Sequence, residues 1–191
     1  RRFYGSVQRV RECIREDGGI MSANFEFTER SHVISSLVKG LGVKKRWVLG
    51  NSSHVMDLVF HLIGQPTDWK GWRTGQLDWH PSGSRFAGAG LTDKNVIFSY
   101  SANWQAPGSW CIELTTSNRR LILRPLEQLQ VVSFDNQNIR TMDLLHNLDK
   151  DYKPGLYLQT AAFLNGDEEL FCTLSEQVKN VRTYSEMAGY L

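Results

Sequence analysis

One alternation constrains the fold more than any other feature. Val96, Phe98, Tyr100, Ala102 and Trp104 alternate with Ile97, Ser99, Ser101 and Asn103. That period of two belongs to a strand with one face in a core and one in water. Met21, Ala23, Phe25 and Phe27 alternate in the same way with Ser22, Asn24, Glu26 and Thr28. Ala106-Pro107-Gly108-Ser109 reads as a turn, and Trp110, Ile112 and Leu114 as a returning strand, so a hairpin is expected there. Leu121 with Leu123, and Val131 with Ser133, suggest two more strands, and the whole stretch from Pro66 to about Phe134 is strand and turn.

Helical spacing brackets this region. Val7, Val10 and Ile14 form one stripe in Tyr4–Glu16, stopped by Asp17-Gly18-Gly19. Ser31 to Gly42 reads as one short helix ended by Gly40 or Gly42. Asn51, Ser52 or Ser53 is expected to cap a helix running to Ile63, with Val55, Leu58, Val59 and Leu62 inward and Gly64 and Pro66 as its stop. Helical periodicity returns at Leu156–Leu164. The capping box Thr173-Leu174-Ser175-Glu176 opens a last helix. Strands in a run, with helices before and after, read as α+β: one sheet with helices on one face, in one domain spanning 1–191.

Composition narrows the function classes. With 191 residues, 41% hydrophobic and 22% charged, the chain has ordinary globular composition, and its net charge of +2 gives no field that would select nucleic acid or an anionic membrane. No apolar run reaches the ~18 residues of a membrane span. Cys13, Cys111 and Cys172 are far apart, odd in number and match no metal spacing, so free thiols in a reducing cytoplasm are expected and no metal site. The opening Arg1-Arg2-Phe3-Tyr4 has no Met and no signal-peptide core, and reads as a processed start or part of a longer chain.

Three constellations could carry chemistry. His54, Asp57 and His61 sit at i, i+3 and i+7 on one helical stripe. Asp57 is near enough to orient the His54 imidazole and raise its pKa. His61 is two turns on, a rise of ~10.5 Å, too far to share a metal with His54. The same stripe also suits the polar flank of a packed helix. Lys153-Pro154-Gly155 is a tight turn whose lysine could meet an anion, or an ordinary loop into a helix. Gly88-Ala89-Gly90 lacks the glycine spacing and the strand–loop–helix setting of a phosphate cradle. The tryptophans of the strand region could stack on sugar rings, though packing is their commoner use.

The residues together resemble a family. Gly50-Asn51-Ser52-Ser53-His54-Val55-Met56-Asp57-Leu58, closed by Leu62-Ile63-Gly64-Gln65-Pro66, is similar to the active-site helix of the glucose–fructose oxidoreductase and inositol dehydrogenase (Gfo/Idh/MocA) family. The opening Arg1-Arg2-Phe3 with Gly18-Gly19 looks like the segment that follows that family's dinucleotide-binding domain. Trp104, Trp110-Cys111-Ile112-Glu113, Pro125-Leu126-Glu127 and Lys153-Pro154-Gly155 follow in the family's order. The resemblance covers nearly the whole chain.

It implies a C-terminal domain built on a broad, open, mostly antiparallel sheet whose free, aromatic-rich face joins a second subunit in a homo-oligomer. It implies the substrate-binding half of an oxidoreductase acting on a hydroxyl of a sugar, polyol or nucleotide sugar. NAD or NADP would be held mainly by a preceding Rossmann domain absent from these residues, and this part alone would be inactive. Carried over, His54 would be the catalytic proton acceptor. Asn51, Asp57 and Lys153 would bind substrate, and Arg2 would bind the cofactor. Where the family has an acid four residues before the histidine, this chain has Gly50. A non-catalytic carbohydrate-binding or oligomerisation protein that keeps the domain is the alternative.

Overall fold

The computed structural model describes all of residues 1–191. An eight-stranded open sheet forms its frame: β1 (Ser22–Phe27), β2 (Pro66–Thr74), β3 (Arg85–Thr92), β4 (Ile97–Asn103), β5 (Trp110–Thr115), β6 (Arg119–Leu123), β7 (Gln130–Ser133) and β8 (Asn136–Thr141). The order is β2-β3-β4-β1-β5-β6-β7-β8, and every pair is antiparallel except β1 with β4. The helices are α1 (Gly5–Glu16), α2 (Ser31–Ser36), α3 (Leu41–Lys45), α4 (Ser53–Ile63), α5 (Leu148–Asp151), α6 (Leu156–Asn165) and α7 (Leu174–Ala188). The fold is thus α+β with a mostly antiparallel sheet, as the residue pattern and the resemblance implied.

Period two decides which side chains meet. Phe25 pairs with Tyr100 on β4 and with Ile112 on β5, and these residues point to one face. Phe60 of α4 closes on Phe25 and Phe98 edge-on, at 5.7 and 5.4 Å between ring centroids. Val7 and Val10 of α1 and Val55, Leu58 and Val59 of α4 enter the same core. Burying one such aromatic or aliphatic side chain contributes roughly 1.5–3 kcal/mol, so this layer holds the helices to the sheet. α4 ends where Gly64 takes φ 94°, a conformation glycine adopts without strain.

The structure corrects four local expectations. β4 and β5 are not a hairpin: β1 lies between them, parallel to one and antiparallel to the other. Ser31–Gly42 is not one helix: Leu37 turns extended and splits it into α2 and α3. α4 has no free N-terminus at Asn51–Ser53, because a π-helical turn, Val48–Ser52, runs into it and Ser52 is itself in helical conformation with no side-chain cap. Finally, the strand aromatics Phe25, Phe27, Phe86, Phe98 and Tyr100 are buried under the helices. The open face carries Ser22, Asn24, Ala87, Ala89, Ser99 and Ser101, with Ile97 and Trp72 its large exposed residues on the β2–β5 half. The last helix fulfils its capping box: the Thr173 side chain accepts from the Glu176 amide.

Candidate active site

β1 ends at Phe27, but its inward phase continues to Glu29, which is 8% exposed. A loop is folded over this strand end. Trp104 donates its indole N–H to the Phe27 carbonyl at 3.1 Å, and the Asn103 amide donates to Thr28 Oγ1 at 3.0 Å. Gly108 lies so close that a Cβ there would meet Thr28 Cγ2 at 2.6 Å. Only glycine fits, and the loop delivers Trp110 opposite Phe27 in the ladder. Two cavities flank Trp110. One, about 480 Å³, is lined by Thr28, Glu29, Arg30, Gly108, Ser109 and Trp110. The other, about 360 Å³, adds Arg1, Arg124 and Glu127.

His54, exposed on the first turn of α4, faces the Trp110 ring at 6.4 Å between centroids. The Arg1 guanidinium lies over the same indole at 4.9 Å. Desolvation, then the Arg1 charge, hold the His54 imidazole below its ordinary pKa, and Asp57 opposes them only weakly. The imidazole is therefore neutral at neutral pH and able to accept a proton.

The expected His54–Asp57 partnership is absent. Asp57 accepts from Arg2 instead, at 3.0 Å from Nε and 2.6 Å from Nη2, and Arg2 also reaches Glu176 at 2.6 Å. Arg2 is 5% exposed. This triad ties the chain's first residues to α4 and α7, and the Arg2 donors are directed at carboxylates within the chain. Cys172 joins Asp57 and Glu176 in a cluster that Arg2 fills.

Asn51 and Ser52 lie one turn before His54. Their side chains donate to Glu29 Oε1, at 2.9 Å from Asn51 Nδ2 and 2.7 Å from Ser52 Oγ. Burial raises the Glu29 pKa; these two donors, and the indoles of Trp110 and Trp47 in the same sense, oppose that rise. Sequence reading missed Glu29. The signal was present: an acid on the core phase of an alternating strand, two residues past Phe27.

Lys153 is exposed and forms no ion pair within the chain. Its turn packs on the N-terminal segment through Gly155, next to Tyr4, and Tyr4 in turn receives a hydrogen bond from Arg1. The structure therefore gathers His54, Asn51, Ser52, Glu29, Trp110 and Arg1, and leaves Asp57 with Arg2.

Gly88-Ala89-Gly90 lies within β3. At Gly88 the space belongs to Tyr100, whose ring a Cβ would meet at 2.5 Å. A concavity of about 740 Å³ lies on the open sheet face among Glu113, Arg120, Ile122 and Phe134, and is lined by no histidine or cysteine. Cys13, Cys111 and Cys172 are free thiols, and no helix is long and apolar enough to cross a membrane.

No family model and no curated protein sequence matches this chain. Solved structures do. An NAD-binding oxidoreductase from Klebsiella pneumoniae superposes with TM-score 0.71 at 12% identity, over 98% of this chain and 61% of that one. Apo levoglucosan dehydrogenase gives 0.69 at 14%, over 99% and 63%. UDP-N-acetylglucosamine 3-dehydrogenase from Acidithiobacillus ferrooxidans gives 0.65 at 13%, over 100% and 59%. The chain spans less than two thirds of the length of these proteins. In fold, the 191 residues are similar to a part of these oxidoreductases.

Proposed function

We propose that these residues form the substrate-binding half of an NAD- or NADP-dependent oxidoreductase acting on a hydroxyl of a sugar, polyol or nucleotide sugar. The carrying observation is His54: a neutral imidazole facing Trp110, the residue shared by the two cavities, on the helix that resembles the family's active-site helix. Its role is to take the hydroxyl proton as the carbon is oxidised. The nicotinamide cofactor supplies hydride transfer. A preceding domain would hold it, a reading supported by the share of the similar structures, under two thirds, that this chain spans. The structures of similar fold, among them a levoglucosan dehydrogenase and a UDP-N-acetylglucosamine 3-dehydrogenase, support the carbohydrate class.

His54→Ala in the whole protein is expected to lower turnover by about 10²–10⁴-fold. Cofactor affinity, read by NAD(P)H fluorescence, should stay unchanged. Turnover that survives the substitution would contradict the assignment. It would favour a binding protein that keeps the domain without its chemistry.

Self-association belongs to the same reading. The open sheet face offers Ile97, Ile139, Trp72 and Phe134, each more than half exposed, so aliphatic and aromatic contacts would share it. Light scattering is expected to give a mass above the monomer, and Ile97→Lys to lower it. A monomer at high micromolar concentration would exclude this part.

A further inference from the structure

We propose that Glu29 is a substrate-binding residue, taking a ligand hydroxyl in the cavity beside Trp110 and supplying the carboxylate that position 50 lacks. The inference rests on the oxidoreductase reading above and deepens it by naming a specific contact to substrate.

A carboxyl group buried only for packing is met by donors on both oxygens, since an unmet buried oxygen loses its water without replacement. Glu29 departs from that pattern. Both of its completed hydrogen bonds, from Asn51 and Ser52, end on Oε1; the indoles of Trp110 and Trp47 lie near the carboxyl group, and the Trp47 N–H completes no hydrogen bond. The residue is more than nine-tenths buried, yet it lines an open cavity of about 480 Å³. One oxygen is anchored, and Oε2 completes no hydrogen bond within the chain.

The surroundings define the ligand class. Trp110 shares the cavity with Glu29 and faces His54 on α4. An indole that can lie against C–H groups, beside a carboxylate that accepts from O–H groups, is chemistry suited to a polyhydroxylated ring. Asn51 gives its amide N–H to Glu29 and accepts no hydrogen bond on Oδ1, so a second acceptor stands next to the first. The anchoring residues immediately precede His54 in the chain. Glu29 therefore fixes the ligand relative to the proton acceptor through a rigid link, the kind of support a precise site requires. Gly50 itself can give no such contact. A carboxylate arriving from β1 reaches the same helical turn from the sheet side.

The test uses the whole protein with two probes, levoglucosan and UDP-N-acetylglucosamine. Binding is read by tryptophan fluorescence and turnover by nicotinamide absorbance. Glu29→Gln retains a carbonyl oxygen for Asn51 and Ser52 and replaces the other oxygen by an amide. It is expected to weaken binding of whichever probe the wild type binds by about tenfold to a hundredfold, the value of a hydrogen bond to a charged group. The loss should fall on KM more than on kcat, and Glu29→Asp should restore part of it. Thermal unfolding of the Gln variant should stay within a few degrees of wild type, which a merely structural Glu29 would not allow alongside weakened binding.

Equal affinity in wild type and Glu29→Gln would overturn the proposal, as would failure of the wild type to bind either probe. Full turnover in His54→Ala together with weakened binding in Glu29→Gln would sink the oxidoreductase reading and keep Glu29 as a ligand contact. Impaired turnover in His54→Ala together with unchanged binding in Glu29→Gln would sink this inference alone.

Discussion

At the scale of single residues, the stripe of His54, Asp57 and His61 divides. His54 turns to Trp110, whereas Asp57 is held by Arg2, whose other partner is Glu176. The Arg2 hydrogen bonds hold the Glu176 carboxyl below its usual range. A guanidinium this buried is costly to leave unpaired. Asp57→Asn is therefore expected to act on stability, lowering it by about 1.5–3 kcal/mol, the worth of hydrogen bonds to a charged group. Glu176 still faces Arg2 in that variant, which keeps the loss from growing further. The pH–rate profile of His54 should move little, since desolvation and Arg1 shift its pKa more than Asp57 does. Chemical denaturation and a pH–rate series check both halves. Lost activity at unchanged stability would show instead that Asp57 acts on substrate.

At the scale of elements, what was legible in the sequence was whatever is local. Period two marked β1, β4 and β5 correctly, and the capping box placed α7. Pairing was not legible, because it depends on partners far away in sequence. The turn between β4 and β5 looked like a hairpin, and nothing near it reveals that β1 inserts between them. The start of α4 was misread for a related reason. Asn51 and Ser52 are good capping residues, but their side chains are engaged by Glu29, a residue 22 positions before Asn51, and the backbone passes through them as a π-helical turn. His54 could be found from its motif resemblance, since the motif lies within one helix. Glu29 and Trp110 join it only through the order of the sheet, which brings the end of β1 and the start of β5 to one side of α4.

At the scale of the whole molecule, several buried groups tie stability to pH. Desolvation pushes His61 down to about 4 from an ordinary value of 6.5. Desolvation also lowers His80, which is fully buried, with Nδ1 2.7 Å from the Gly83 carbonyl and Nε2 2.5 Å from the Tyr190 hydroxyl. That hydroxyl accepts in turn from the Val48 amide, so protonating His80 would disturb the π-helical turn ahead of α4. A histidine whose folded pKa lies below its unfolded value binds fewer protons when folded. Its contribution is whole above pH 6.5 and is lost as the pH falls toward the folded value. For His61 that window runs from 6.5 to about 4. The full shift would correspond to about 3 kcal/mol, reduced to roughly 1–2 kcal/mol because the site is partly screened by solvent. Asp17, held by Arg119 at about 2, adds its loss only in stronger acid. Glu29 runs the other way: its raised pKa makes its contribution whole below the ordinary carboxylate value and diminished as the pH rises past the folded one. The histidines act over the wider range, so denaturation free energy should be level near pH 7–8 and decline from pH 6.5 to 4.5. His61→Gln should flatten that decline, because it removes one titrating group and leaves the His80–Tyr190 contact in place. Stability that holds constant or rises on acidification to pH 4.5 would mean that these imidazoles are already hydrated in the native protein.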